Sequence, residues 1–216
     1  MSFDQLYMYF MAACFLISLT VYRTTVKELQ YLKLFPPILL ITLVIELIGL
    51  YMGMRGRANI SMYNFFSVFW VCYYLFILSA IVKNKTAKRI IWGTIIAYMI
   101  AAVVNILFIQ GKNVLHTVTY SLGLLLIVFF CIYYFFELFR HARAVDLKRN
   151  PAFWICSGLL FYCCCGFPLY GFINVWAKVP FIVKSFQHIV SILNIFLYTL
   201  LSIGFLCSKT RKSSLS

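Results

Sequence analysis

The amino-acid sequence predicts an all-α membrane protein, one domain built as a bundle of seven transmembrane helices, and two observations carry that prediction. The 216 residues are 64% hydrophobic and only 11% charged, with a mean hydropathy of +0.95. An ordinary soluble domain is roughly 45–50% apolar and about 25% charged. The apolar residues also fall into seven long runs, and a helix needs about 20 mostly apolar residues to cross a hydrocarbon core about 30 Å thick. Seven such spans occupy nearly the whole of residues 1–216 and leave no room for a soluble domain.

The spans are expected at 6–22, 34–53, 60–82, 90–109, 114–139, 153–176 and 181–207. The first follows Asp4 and precedes Arg23 and Lys27. A cleaved signal peptide carries its cations in front, so this segment reads as a retained span. The second opens on Pro36-Pro37, in the first helical turn, where N–H donors have no partner within the helix and a missing one costs little. The basic stretch 83–89 separates the third from the fourth, and a polar turn around Gly111 separates the fourth from the fifth. Pro151 precedes the sixth as Pro36 does the second. Pro168, between Gly166 and Gly171, predicts a kink inside it. The seventh runs to Cys207, ahead of a basic tail.

The formal charge of +14 would suit nucleic acid, but no basic stripe with interleaved exposed aromatics exists to bind it. The cations lie between apolar runs, and membrane proteins concentrate Lys and Arg on the cytoplasmic side. Fourteen of the nineteen follow the first, third, fifth and seventh spans. The other five (Arg55, Arg57, Lys112, Lys178 and Lys184) lie on the opposite side. The N-terminus is therefore expected outside and the C-terminus in the cytoplasm. All eight cysteines sit within apolar runs, where they act as small apolar residues. Cys163, Cys164 and Cys165 point in three directions on a helix and form no preformed chelate.

Polar side chains inside a span are costly and usually face the bundle interior. Glu46 lies about two turns below the outer end of the second span, counting 1.5 Å per residue. Tyr63 and Asn64 lie near the start of the third, and Asn105 near the outer end of the fourth. His116, Thr117 and Thr119 open the fifth, Asn174 closes the sixth, and Gln187 and His188 begin the seventh. All fall in the outer half; Asn194 alone lies nearer the middle. The inner half offers only Glu137, about one turn from Arg140, which it can pair with. An outward-facing polar cup over an apolar inner half is the expected arrangement. Its ligand-binding candidates are Glu46, Tyr63, Asn64, Asn105, His116, Asn174 and His188. The plainer reading makes these groups interhelical contacts worth roughly 0.6–2 kcal/mol each.

A faint repeat pairs spans one to three with five to seven. Ser61, Asn64, Ser67 and Tyr74 match Ser185, His188, Ser191 and Tyr198 at one offset, and Cys14 and Arg23 match Cys131 and Arg140. Small carriers are built from such parallel repeats; chance matches in apolar sequence give the same picture. Enzyme chemistry has little support. One buried carboxylate does not make the acid–base pair that many hydrolases use, and catalytic zinc wants three ligands on one side. Lys184 lies only at the edge of the seventh span, too shallow for a retinal Schiff base. No enzyme activity, metal or cofactor is expected.

Several stretches occur together in order: Glu46-Leu-Ile-Gly49, Tyr63-Asn64-Phe-Phe, Asn105-Ile-Leu-Phe-Ile-Gln110-Gly111, His116-Thr-Val-Thr119-Tyr120, and Pro151-Ala-Phe-Trp154-Ile-Cys-Ser-Gly158-Leu-Leu-Phe-Tyr162. As a set they resemble a family of uncharacterised seven-helix integral membrane proteins of Bacteroidetes-type bacteria. Members of that family look like the separate membrane-sensor halves of bacterial signalling systems. The resemblance implies a multi-pass protein of the bacterial inner membrane, with a histidine kinase as the cytoplasmic partner.

The expected function is thus a sensor or receptor-like module that binds a small ligand or proton in the outer cup. Glu137, Arg140, Arg143, Lys148 and Arg149 are the residues expected to pass the change to the cytoplasmic partner. The alternatives are a small-solute transporter of 3+1+3 organisation and a ligand-free structural membrane subunit.

Overall fold

The computed structural model describes residues 6–23, 27–111, 114–140, 147–176 and 180–213. Side chains are described for all of these except 23, 27, 28, 174–176, 180–184 and 209–213. Seven α-helices account for nearly all of it: α1 (Leu6–Ser18), α2 (Phe35–Met54), α3 (Ile60–Ile81), α4 (Lys85–Val104), α5 (Thr117–Arg140), α6 (Pro151–Trp176) and α7 (Pro180–Ser213). Six of them, α2 to α7, are long and apolar enough to cross a membrane. The seventh, α1, is shorter. A 3-10 segment, Leu19–Arg23, continues it. Thirteen residues of α-helix rise about 20 Å and five of 3-10 helix about 10 Å. Together they match a hydrocarbon core of about 30 Å. The chain is a multi-pass, all-α membrane protein.

The expected spans coincide with these helices to within a few residues, and the departures have local causes. The fourth helix begins five residues early, at Lys85, because Asn84 caps it, its side chain accepting from the Thr86 and Ala87 amides at 2.8 and 3.4 Å. Its last turn, Asn105–Ile109, widens into a π-helix. Proline stands in the first turn of α2, and Pro151 opens α6. Pro168 lies inside α6 without ending it. The three successive cysteines do point apart: Cys163 is buried, Cys164 exposed and Cys165 between.

Helix α1 packs on α2 and α7, α7 on α6, α6 on α5, and α5 on α3. A thinner contact between α3 and α2 closes a ring of six. Helix α4 stays outside, lying on α3 and more lightly on α5. One glycine sets that corner. A Cβ on Gly123 of α5 would stand 2.6 Å from Val71 Cγ2 of α3 and 2.9 Å from Tyr98 Oη of α4. Small residues let helices approach this closely in a membrane, where packing rather than hydrophobicity drives association.

The two halves of the ring differ. We call the end where α1, α3, α5 and α7 begin the N-face, and the opposite end the C-face. Towards the C-face the ring is filled: Phe35, Tyr74 and Phe205 are at most 1% exposed. Phe35 meets Phe205 edge-on at 5.4 Å and Tyr74 at 6.3 Å. Leu78, Leu201 and Ile38 complete this plug. Towards the N-face the ring is hollow.

Gly123→Leu is expected to lower stability by about 1–3 kcal/mol, read as a fall in Tm of the detergent-purified protein. Gly93→Leu, where an added Cβ meets nothing within 4 Å, leaves the Tm unchanged. Equal effects of the two would disprove the close approach at Gly123.

Candidate functional site

The hollow is a cavity of about 620 Å³ to which all six ring helices contribute and α4 does not. Its rim lies at Asn59, Leu115 and Gln187, its floor at Trp70, Leu197 and Tyr198. Asn59 and Trp70 are eleven residues apart on α3, a depth of about 16 Å. The helical period explains which side chains arrive there. Thr42, Glu46 and Leu50 form one stripe of α2; Tyr63, Ser67 and Trp70 one of α3; Gln187, Ser191, Asn194 and Tyr198 one of α7.

Glu46 is the acidic group of the wall. Its Oε2 accepts hydrogen bonds from Tyr7 Oη of α1 at 2.8 Å and from Tyr63 Oη of α3 at 3.3 Å. One carboxylate oxygen thereby ties three helices, including α2 and α3, whose other contacts are few. Gly49 makes this possible: a Cβ there would lie 2.8 Å from Tyr63 Cζ. A second, shallower cleft of about 440 Å³ adjoins Tyr7, Met8, Glu46, Gly53, Met54 and Tyr63. Glu46 therefore stands in a wall between two voids.

Asn64 lines the same cavity but is fully engaged with the α4–α5 connection. Its Nδ2 donates to the Val114 carbonyl at 2.8 Å, and its Oδ1 accepts from the His116 amide at 2.9 Å. His116 is buried, and its Nε2 meets the Gly111 carbonyl at 2.7 Å. A carbonyl only accepts, so that nitrogen carries the proton. Gln110 extends the lock, accepting from Asn105 Nδ2 at 2.9 Å and donating to Thr117 Oγ1 at 3.3 Å.

Of the expected cup residues, Glu46, Tyr63, Asn64 and His116 line the cavity, with Thr117, Gln187 and Asn194. Asn105 does not: it is buried on α4, outside the ring, and belongs to the Gln110 lock. His188 is half-buried beside the lining residue Gln187 and is not part of the wall. The Asn174 side chain lies outside the described residues. A further eight lining residues are aromatic and were not among those expected: Tyr7, Phe66, Trp70, Tyr120, Tyr162, Tyr170, Phe186 and Tyr198. Tyr170 meets Tyr120 at 4.7 Å and Phe186 at 5.3 Å, both edge-on, and Trp70 lies 5.9 Å from Tyr162.

At the C-face, Glu137 accepts from the Lys83 and Asn84 amides at 3.0 and 2.8 Å. It thus joins α5 to the α3–α4 turn as well as standing near Arg140. Arg140, Lys148 and Arg149 are exposed; Arg143 lies outside the described residues. The Lys148 carbonyl accepts from Trp154 Nε1 at 3.0 Å and from Cys207 Sγ at 3.2 Å.

Fold and site together define a polytopic helical membrane protein with a cavity open at one face. Comparison with family models, with curated proteins and with solved structures finds no match.

Asn64→Ala leaves the His116 amide and the Val114 carbonyl without partners, and is expected to cost about 1–3 kcal/mol. Amide hydrogen exchange at residues 114–117 should rise with it. Unchanged exchange there would show that Asn64 does not hold the connection.

Proposed function

We propose that this protein is a bacterial inner-membrane sensor that binds a small ligand in the N-face cavity and signals to a cytoplasmic partner at the C-face. The carrying observation is the contrast within the ring, a cavity lined by Glu46 that ends on an apolar plug at mid-depth. The loop charges support the N-face as the outer one. A cavity that is closed below receives a ligand without passing it on. Helix α7 supports the coupling: it lines the cavity from Gln187 to Tyr198 and, further along, touches the Lys148 carbonyl through Cys207. A ligand that favours one packing of α7 over another would move the basic C-face turn, provided its affinity differs between the two. Glu137, Arg140, Arg143, Lys148 and Arg149 are the proposed contact with that partner, a histidine kinase in the simplest case. No catalytic step is assigned.

One observation favours the second reading, a transporter of 3+1+3 organisation. The ring consists of α1–α3 and α5–α7 with α4 outside, and its two inter-repeat seams, α1 on α7 and α3 on α5, are equivalent under exchange of the halves. In that reading the plug is one closed state of an alternating pathway.

Thiol labelling separates the readings, since no native cysteine lines the cavity. In intact spheroplasts, Ser67→Cys is expected to react with a membrane-impermeant reagent added outside, and Ser79→Cys, within the packed half, is not. Reaction of Ser67→Cys from the cytoplasmic side alone, in inverted vesicles, reverses the orientation. Reaction from both sides replaces the sensor by the carrier. No reaction from either side removes the cavity as a binding site.

A further inference from the structure

The chemistry of the cavity's occupant can be read from its wall, given that the cavity is a ligand site as proposed above. We infer that the occupant is a small organic cation, an amine or quaternary ammonium group on an apolar body, with Glu46 as its counter-charge and aromatic rings as its surroundings.

Charge is the first support. Glu46 lines the cavity and no Lys or Arg does so among the described residues. Two hydroxyls donate to its Oε2, and that oxygen accepts both. Among the described residues no cation of the protein faces it, and its Oε1 has no hydrogen-bond partner. A half-buried acidic group is stabilised in its charged form when an opposite charge meets it. An anionic ligand would meet that acidic group and, among the described residues, no Lys or Arg. A neutral one would leave the charge unmet.

The rings are the second support. Tyr63, Trp70, Tyr120, Tyr162, Tyr170 and Phe186 all border the same space. The faces of such rings attract ammonium groups, Trp most strongly, and more so when water is excluded. Bare metal ions are held differently, by cages of oxygen ligands around a hard cation. No group of three His, Cys, Asp or Glu suited to a metal occurs among the described residues. Size agrees as well: about 620 Å³ lies within the roughly 300–1,000 Å³ of small-molecule sites.

The test is equilibrium binding to the full chain in nanodiscs, followed by tryptophan fluorescence. The probes are choline, benzyltrimethylammonium and 2-phenylethylammonium. Their comparators are 3,3-dimethylbutan-1-ol, an uncharged isostere of choline, and phenylacetate. At least one cation is expected to saturate, with affinity at least tenfold above its uncharged or anionic comparator. Glu46→Gln is expected to weaken it at least tenfold, while Thr94→Val, on α4 outside the cavity, leaves it unchanged. Trp70→Phe should abolish the fluorescence change, and a Glu46→Asp variant that restores part of the affinity guards against misfolding of the Gln variant. Equal binding of a comparator, or a cation unaffected by Glu46→Gln, overturns the cationic class while the cavity stands. Absence of binding by every probe overturns it too, and the labelling of Ser67→Cys then decides separately whether the cavity itself survives.

Discussion

Inside a bilayer no water is at hand to satisfy polar groups, and this constraint orders the whole molecule. The backbone meets it by forming helices. The scarce polar side chains meet it one at a time. Ser18, Thr42, Ser79, Thr199 and Ser202 donate to carbonyls three or four residues back in their own helices. Glu137 and Asn64 take up backbone groups of neighbouring turns. Glu46 is met only in part, by two hydroxyls on one oxygen, and it stands where the ring is hollow. The candidate site is thus one place where internal accommodation stops short.

Helix α4 shows the same constraint from the other side. Tyr98 Oη and Asn105 Oδ1 are buried without hydrogen-bond partners among the described residues, and both residues belong to the fourth span. Each such group costs about 1–3 kcal/mol. Lying outside the ring, with most of one flank exposed through Ile96, Met99, Ile100 and Val103, α4 is the least buried of the six long helices. The ring of six does not need it to close.

Hydropathy made the helices legible because length and apolarity are all that a span requires. The cavity was half legible. Glu46, Tyr63, Asn64 and His116 stand out as polar residues in apolar runs, and they do share a wall. Asn105 misled because a polar residue is presumed to face the interior, and only the faint repeat, which leaves the fourth span unpaired, hints that α4 lies outside. His188 misled by one residue: a step along a helix turns a side chain by about 100°, and Gln187 is the one that faces in. The aromatic wall was hidden by ambiguity of type. Tyr and Trp count as apolar filling or as interfacial anchors, and only the ring, which brings Tyr7 to Glu46 from 39 positions away, shows their common purpose.

The slot over Gly49 has an evolutionary consequence. Tyr63 reaches its carboxylate only because position 49 has no side chain, so the two positions cannot drift independently. In relatives that keep an acidic residue at 46 and a tyrosine at 63, position 49 will stay glycine. A larger residue at 49 will be accompanied by loss of the ring at 63. Positions 46, 49 and 63 should therefore change as a set, leaving a covariation signature between the second and third spans that their sparse direct packing would not produce.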